Sequence, residues 1–286
     1  MIGGANGWYL AAMAERPRQL LLDMERRAHA EFSYWPSFFS RVVARLQWNA
    51  RTIDLAADAR AWPELPEERR RRLTTLIAGF RVAEDAVAEH LVPFGDAAQD
   101  SLKAWVFFLQ RRDEQRHALL FDRIAAEVVG LPGATPEERR AAAREHAPAG
   151  VLELFEERLP ALSAELAAGR AEFGEGVGLY HMVLEGIVLT AGQHALLDDL
   201  ADGALPGVRK GVQRVELDER WHVGFGLRCL IEAQPGADLI DGLPAQAEEA
   251  AAAWGDAVPL AVQEAVAPTC ARRLAAAKLT GTRVPA

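Results

Sequence analysis

The chain has 286 residues, of which 50% are hydrophobic and 26% are charged, and its formal net charge is −9. This composition is typical of a folded protein rather than a disordered or fibrous one. The acidic balance argues against binding to nucleic acid, whose phosphate backbone requires clustered lysines and arginines. The two cysteines, Cys229 and Cys270, form no Cys-x-x-Cys pair, which excludes a thiolate zinc site and favours a reduced, cytoplasmic location.

No segment is predicted to be a signal peptide or a transmembrane helix. The apolar stretch within residues 1–22 has no basic region before it, as a secretion signal would. The longest apolar candidate, 179–197, is interrupted by His181, Glu185, Gln193 and His194. Because ionisable groups are costly to bury, those in an apolar helix are normally paired, neutralised or bound to a metal. This interruption is the first indication of a functional site.

Periodic segments rich in Ala, Leu, Arg and Glu, separated by Gly and Pro, predict an all-α protein. Loops are expected at 130–133 and 203–207, and no long linker separates the parts, so residues 1–286 are predicted to form a single domain. The predicted helices cover 37–51, 66–92, 97–129, 136–146, 151–168, 174–199, 206–232, 244–254 and 259–279.

Two segments, 113–117 and 218–222, each contain an Asp followed by Glu-x-x-His. Residues three apart lie on the same side of a helix, so each segment presents one carboxylate and one imidazole together. The first pair is Glu114 with His117, and the second is Glu219 with His222. Each pair is a suitable half-site for a divalent metal, although the motif taken alone is weak evidence.

Two further carboxylates complete a dinuclear constellation. Such four-helix sites take one Glu from each of two helices and Glu-x-x-His from each of the other two. Glu84 and Glu185 each lie in an apolar stripe of the helix before one of the motifs. For Glu185 alone, an ion-paired core carboxylate is an equal alternative. Four carboxylates buried together require cations, and a ligand set without thiolate suits iron or manganese.

Two short signatures accompany these residues: Trp48 followed by Thr-Ile-Asp-Leu at 52–55, and Leu-Glu-Gly-Ile at 184–187. With them, the chain from Trp48 to Phe225 resembles the ribonucleotide reductase small-subunit superfamily. The resemblance implies a ferritin-like four-helix bundle core with additional helices. Phe121 stands where the reductase subunit usually carries its radical tyrosine, and residues 279–286 contain no acidic tail. A reductase role is therefore disfavoured.

The other branch, the small-subunit-like ligand-binding oxidases, is more similar. Its members have a Val three residues after the first Glu and a Tyr five residues before the third-helix Glu, and Val87 and Tyr180 occupy these positions. The resemblance implies a Mn/Fe or di-iron centre that activates O2 for a two-electron oxidation. It also implies a Val87–Tyr180 ether cross-link, a bound long-chain fatty acid or similar aliphatic ligand, and a homodimer. One metal would be held by Glu84, Glu114 and His117, and the other by Glu185, Glu219 and His222, with at least one motif glutamate bridging.

Several residue roles stay open at this point. On an ideal helix Tyr180 is rotated by about 140° from Glu185, so it reaches the metals sideways or through a local π-bulge, or else packs between helices. His181 is a packing or supporting residue, or an additional ligand. Asp113 and Asp218 either accept the outer N–H of the opposite motif's imidazole or face solvent.

The function also has alternatives. Phe80, Phe107, Phe121, Met182 and Val188 would line a channel for an aliphatic acid or would simply belong to the helical core. The competing functions are a reductase radical-generating subunit and a non-catalytic metal-binding or storage protein.

Overall fold

The structure, a computed structural model, describes residues 35–279, which are helical and contain no β-strand. The expectations about the first 22 residues and about an acidic tail at 280–286 lie outside the described residues. Within 35–279, no helix is both long enough and apolar enough to cross a membrane. The all-α prediction is confirmed for this part of the chain.

The helices are numbered in chain order. They are α1 (Trp35–Leu46), α2 (Ala56–Ala61), α3 (Glu67–His90), α4 (Val92–Ala97), α5 (Ser101–Ile124), α6 (Pro136–Arg144), α7 (Ala149–Leu152), α8 (Leu159–Ala167), α9 (Phe173–Val177), α10 (Thr190–Asp199), α11 (Pro206–Ala233), α12 (Ala237–Ala250), α13 (Leu260–Val266) and α14 (Thr269–Ala276). Wider π-helical segments extend α5 (Ala125–Val129), join α7 to α8 (Glu153–Arg158) and join α9 to α10 (Gly178–Leu189).

Four long elements form the central bundle: α3, α5, the continuous α9–π–α10 helix and α11. Helix α3 packs along α5, and the π-helical segment Gly178–Leu189 packs along α11. Helix α1 crosses α5 and α11 on the outside. Buried apolar side chains from Trp35 to Leu274 form one large cluster around this bundle. The arrangement is the ferritin-like core expected from the resemblance.

The helices that carry the two Glu-x-x-His motifs begin at side-chain caps. The Asp100 carboxylate accepts two backbone N–H groups of the first turn of α5 at 2.9 Å. At the start of α11, the buried carboxylate of Asp58 accepts the N–H groups of Gly207 at 3.1 Å and Val208 at 2.9 Å. These contacts satisfy N–H groups that have no partner within the helix and place negative charge at its positive end.

The Trp254 side chain packs between α3 and α10 and contacts the π-helical segment. A Cβ atom on Gly79 or Gly192 would lie 2.4 or 2.5 Å from the Trp254 ring, so the ring fits only because both residues are glycines. The Trp254 Nε1–H donates to the Val188 carbonyl at 2.7 Å. The ring therefore joins α3 to α10 and satisfies a carbonyl of the segment that carries Glu185.

Some predicted boundaries are wrong. The first helix ends at Leu46, and the short helices α2 and α4 were not predicted. Pro244 lies inside α12 rather than at its start. The missing N–H of a proline removes one helical hydrogen bond, which α12 tolerates because it packs along the π-helical segment. Residues 259–279 form two helices, divided just before Pro268.

Candidate metal centre

The four bundle elements bring all six predicted ligands to one buried point. Each of these side chains is at most 2% exposed. Their ligand atoms fall into two groups, within each of which all atoms lie within 4.8 Å of one another. The first group contains Glu84, Glu114, His117 and Glu219, and the second contains Glu114, Glu185 and His222.

Both motif glutamates reach both halves of the centre. Glu114 places Oε2 3.1 Å from Nδ1 of His117 and Oε1 3.1 Å from Nδ1 of His222. Glu219 places its two oxygens 3.4 and 3.5 Å from the same two nitrogens. The sequence predicted that at least one motif glutamate bridges the two halves, and in the structure both motif glutamates lie between the two imidazoles. Glu84 and Glu185 each lie at one end, 3.5 Å from His117 and 3.3 Å from His222.

Unpaired oxygens show that two cations fit this cluster. Within residues 35–279, both carboxylate oxygens of Glu84 and of Glu219 and one oxygen of Glu185 accept no hydrogen bond. Buried polar atoms rarely lack a partner, and clustered buried carboxylates repel one another strongly. Four carboxylates and two imidazoles, with no thiolate among them, form a donor set that suits two divalent iron or manganese ions.

The protonation of the metal-free protein reflects the same need for positive charge. Burial raises the pKa of Glu84 to about 8 and raises the pKa of Glu185 well above its usual value. Burial lowers the pKa of His117 and His222, but the facing carboxylates outweigh it and hold both values well above normal. In the metal-free protein, protons bound to these carboxylates and imidazoles therefore offset the buried negative charge, a role that two metal cations would take over.

Each motif's aspartate faces the imidazole of the other motif. Nε2 of His117 lies 3.1 Å from Asp218, and Nε2 of His222 lies 3.8 Å from Asp113. Both aspartates are buried, so the solvent-exposed alternative is wrong. The predicted hydrogen bond is confirmed for Asp218 and His117, whereas 3.8 Å is too long for one between Asp113 and His222. Arg116 joins the two aspartates through Nη2, which lies 2.7 Å from Asp113 and 2.8 Å from Asp218.

Trp48 supports the same corner of the centre. Its Nε1–H donates to Asp218 at 2.7 Å, and its ring stacks on His117 with centroids 6.2 Å apart. The Arg116 guanidinium lies over the Trp48 ring, 5.0 Å from its centroid. The sequence marked Trp48 only as part of a signature, whereas the structure gives it a hydrogen bond to a residue that orients a candidate ligand.

Tyr180 reaches the centre because its helix is π-helical. The segment Gly178–Leu189 is wound more widely than an α-helix, and this changes the angle between Tyr180 and Glu185. The Tyr180 hydroxyl donates to Oε1 of Glu114 at 3.0 Å. The predicted helix distortion is confirmed, and the alternative that Tyr180 only packs between helices is wrong. Thr190 and Arg273 donate to the carbonyls of residues 185 and 186, at 2.8 and 2.9 Å.

Sequence reasoning missed Gln110, which lies one helical turn before Glu114 and is completely buried. Its amide nitrogen donates to Glu185 at 2.8 Å and to the Tyr180 hydroxyl at 3.0 Å. His181 joins neither group of ligand atoms, and its Nε2 lies 3.2 Å from Oε1 of Gln110. The signal in the sequence was the spacing of four residues from Glu114, which places Gln110 on the same helix face.

Val87 and the predicted apolar stripe are buried around the centre. Val87 lies one turn after Glu84 on α3 and is fully buried. Phe121 stacks on Phe80 with ring centroids 4.7 Å apart. Phe107 meets the His181 ring edge-on at 5.7 Å, and Met182 and Val188 are also fully buried. These contacts are those of a packed core, and a channel for an aliphatic acid stays a prediction.

Solved structures with the same fold are R2-like ligand-binding oxidases, while no protein-family model matches the chain. A tyrosine-to-phenylalanine variant with anaerobically reconstituted Mn/Fe cofactor aligns with a TM-score of 0.73 and 19% identity, over 88% of this chain and 95% of that one. A glycine-to-phenylalanine variant with the same cofactor gives 0.72 and 20%, over 88% and 96%. A glycine-to-leucine variant with a non-activated Mn/Mn cofactor gives 0.71 and 19%, over 88% and 94%. The chain therefore has the fold of the R2-like ligand-binding oxidases.

Proposed function

We propose that this protein is a dinuclear metal oxidase that binds manganese and iron, or two irons, and uses O2 for a two-electron oxidation. The observation that carries the proposal is the buried cluster of four carboxylates and two imidazoles with unpaired oxygens. The Mn/Fe cofactors of the structures that share the fold support the choice of metals.

The residues divide into ligands and supporting groups. Glu84, Glu114, His117 and Glu219 hold one metal, and Glu114, Glu185 and His222 hold the other. The bound metal pair supplies the reduction of O2. Asp218 accepts the outer N–H of His117 at 3.1 Å, and Asp113 faces the outer nitrogen of His222 at 3.8 Å. In this orientation Nδ1 of each ring faces the centre and would bind a metal. The buried surroundings exclude water from the oxidising centre.

We further propose that the centre oxidises two of its own side chains. An ether bond forms between Val87 Cβ and the Tyr180 oxygen, while the Cβ–H and O–H bonds break. The two electrons and two protons released would reduce one O2 to hydrogen peroxide, which balances the step. Glu114 accepts the hydrogen bond of the Tyr180 hydroxyl at 3.0 Å and is the first acceptor of its proton. Val87 lies one turn after Glu84 on α3 and is buried.

The bound aliphatic ligand, such as a long-chain fatty acid, belongs to the proposal, with its carboxylate at the metals. So do the homodimer, the cytoplasmic location and the single ferritin-like domain over residues 1–286. The likeness in fold to ligand-binding oxidases supports the bound ligand.

The decisive experiment loads the protein anaerobically with Mn(II) and Fe(II) and compares its peptides by mass spectrometry before and after exposure to air. We expect a linked pair of peptides containing Val87 and Tyr180, lighter by two hydrogen atoms, only after exposure. Tyr180→Phe is the control, since it retains the metal ligands and cannot form the ether. Bound metals with unlinked peptides would withdraw the cross-link and keep the dinuclear centre. Failure to bind metals would overturn the centre itself.

A further inference from the structure

One buried amide connects a candidate metal ligand, the candidate cross-link tyrosine and a buried imidazole. Gln110 on α5 hydrogen-bonds Oε1 of Glu185 at 2.8 Å and the Tyr180 hydroxyl at 3.0 Å through Nε2. Its Oε1 lies 3.2 Å from Nε2 of His181. The amide thus lies beside the half of the centre that contains Glu185 and His222, but it is not one of the candidate ligands.

The chemistry of the partners fixes how this amide is oriented. An amide nitrogen only donates and an amide oxygen only accepts. With the nitrogen towards Glu185 and Tyr180, its two hydrogens meet two oxygens, whereas the reversed amide would place its oxygen against the Glu185 carboxylate. His181 is consistent with this orientation: burial lowers its pKa to about 3, so the ring is neutral, and its Nε2–H tautomer donates to the Gln110 oxygen at 3.2 Å.

The position of His181 is itself fixed by packing. A Cβ atom on Gly226 would lie 2.2 Å from the His181 Cβ atom, so the imidazole occupies space that only glycine leaves free. Phe107 and Phe225 meet the same ring edge-on, with centroids 5.7 and 5.9 Å away. Because this packing leaves the imidazole no alternative position, its contact with Gln110 holds the amide in one orientation.

This orientation determines what the two partners of the amide nitrogen do. Because Gln110 donates to the Tyr180 oxygen, the phenol cannot donate back to that nitrogen, and its hydrogen goes to Glu114. Because Gln110 also donates to Oε1 of Glu185, that carboxylate is held 3.3 Å from Nδ1 of His222 with its Oε2 atom unpaired.

We propose that Gln110 is a positioning residue that holds the Glu185 carboxylate for the cation on the His222 side and directs the Tyr180 hydroxyl to Glu114. The proposal rests on the dinuclear centre proposed above. It assigns a role to a residue that is neither a ligand nor a reacting group, and it predicts that the two cation positions respond differently to loss of this amide.

The test is an anaerobic Mn(II) titration followed by the electron paramagnetic resonance signal of free Mn(II). Gln110→Met keeps similar volume and removes all three hydrogen bonds. We expect the unaltered protein to bind two Mn(II), and Gln110→Met to weaken one of the two by about 10- to 100-fold, as loss of a group supporting a ligand usually does. Gln193→Met is the matched control, since Gln193 on α10 is also buried but makes no side-chain hydrogen bond within residues 35–279. It should leave both affinities unchanged.

A double variant distinguishes a positioning role of Gln110 from a general destabilisation of the protein. In Glu185→Ala one Mn(II) position is lost, and adding Gln110→Met should leave the remaining affinity unchanged, because Gln110 acts through Glu185. Equal weakening of both positions, no weakening, or weakening in the Glu185→Ala background would each overturn the proposal. Fewer than two Mn(II) in the unaltered protein would instead overturn the dinuclear centre. Gln110→Asn, which keeps an amide too short to reach both partners, repeats the titration if Gln110→Met does not fold.

Discussion

Nε2 of His117 on α5 lies 3.1 Å from the Asp218 carboxylate on α11, so the support for one half-site comes from the helix of the other. The reciprocal pair, His222 and Asp113, is 3.8 Å apart. Each Glu-x-x-His helix therefore sets a carboxylate against the other helix's imidazole, and one of the two contacts is a hydrogen bond. A displacement of either helix would disturb a ligand on both.

Removing one of these supports should weaken metal binding without removing a ligand. In Asp218→Ala, the outer nitrogen of His117 loses its acceptor, and we expect Mn(II) or Fe(II) affinity to fall by about 10- to 100-fold. Metal content after dialysis against a graded chelator measures the change. The exposed Asp256→Ala should behave as the unaltered protein does. Equal retention of metal by both variants would show that Asp218 does not support His117.

Arg116 should matter for stability as well as for the centre. Its guanidinium lies between two buried aspartates at 2.7 and 2.8 Å, and Arg116→Met leaves Asp113 and Asp218 without their shared cation. Breaking a buried ion pair on one side costs about 3–5 kcal/mol, which denaturant unfolding of the metal-free protein would measure.

A surface pair provides the comparison for Arg116. Arg170 and Glu165 are 2.7 Å apart but largely exposed, so Arg170→Met should leave the free energy of unfolding almost unchanged. Similar losses in the two variants would contradict the assignment of Arg116 as a buried bridge.

The metal-free protein should become less stable as the pH rises from about 5 to about 8. Glu84 has a pKa of about 8 in the folded protein, against a usual value of 4.5. In that window the folded state retains a proton that the unfolded state has lost, so the free energy of unfolding falls with pH, by up to about 1.4 kcal/mol per pH unit for one proton.

Glu84→Gln tests this assignment, because the amide stays neutral at every pH. Urea unfolding across the same pH range should show a smaller decline for Glu84→Gln than for the unaltered protein. Glu248→Gln, at an exposed position on α12, controls for the loss of one acidic group. If the free energy of unfolding declined equally with pH in all three proteins, Glu84 would not be the group responsible for the decline.

Gly226 on α11 should tolerate no side chain. A Cβ atom there would lie 2.2 Å from His181, and forcing it into the core should destabilise the protein by about 1–3 kcal/mol. Gly242→Ala on α12 is the control: its Cβ would meet nothing closer than 3.8 Å. This variant should be unchanged or more stable by up to about 1 kcal/mol, because alanine favours helix. Calorimetric melting of the two variants compares them directly.

The sequence predicted the all-α fold and the ferritin-like core, and it predicted which six side chains meet. Fixed helical spacing places Glu114 beside His117 and Glu219 beside His222, and each apolar stripe contains one carboxylate. Contacts between helices could not be predicted in the same way. The residues that Arg116 pairs with, and the reach of Gln110 to Glu185, depend on how α5 lies against its neighbours.

The sequence by itself determined the helix periodicity, the two Glu-x-x-His motifs and the position of Tyr180, because these follow from the order of residues along one helix. Only the tertiary structure decided that Glu114 and Glu219 both lie between the two imidazoles and that each aspartate faces the opposite imidazole. It also decided the π-helical winding that turns Tyr180 towards Glu114. The physical reason is that burial of charge must be balanced in three dimensions, by groups that are distant in the chain.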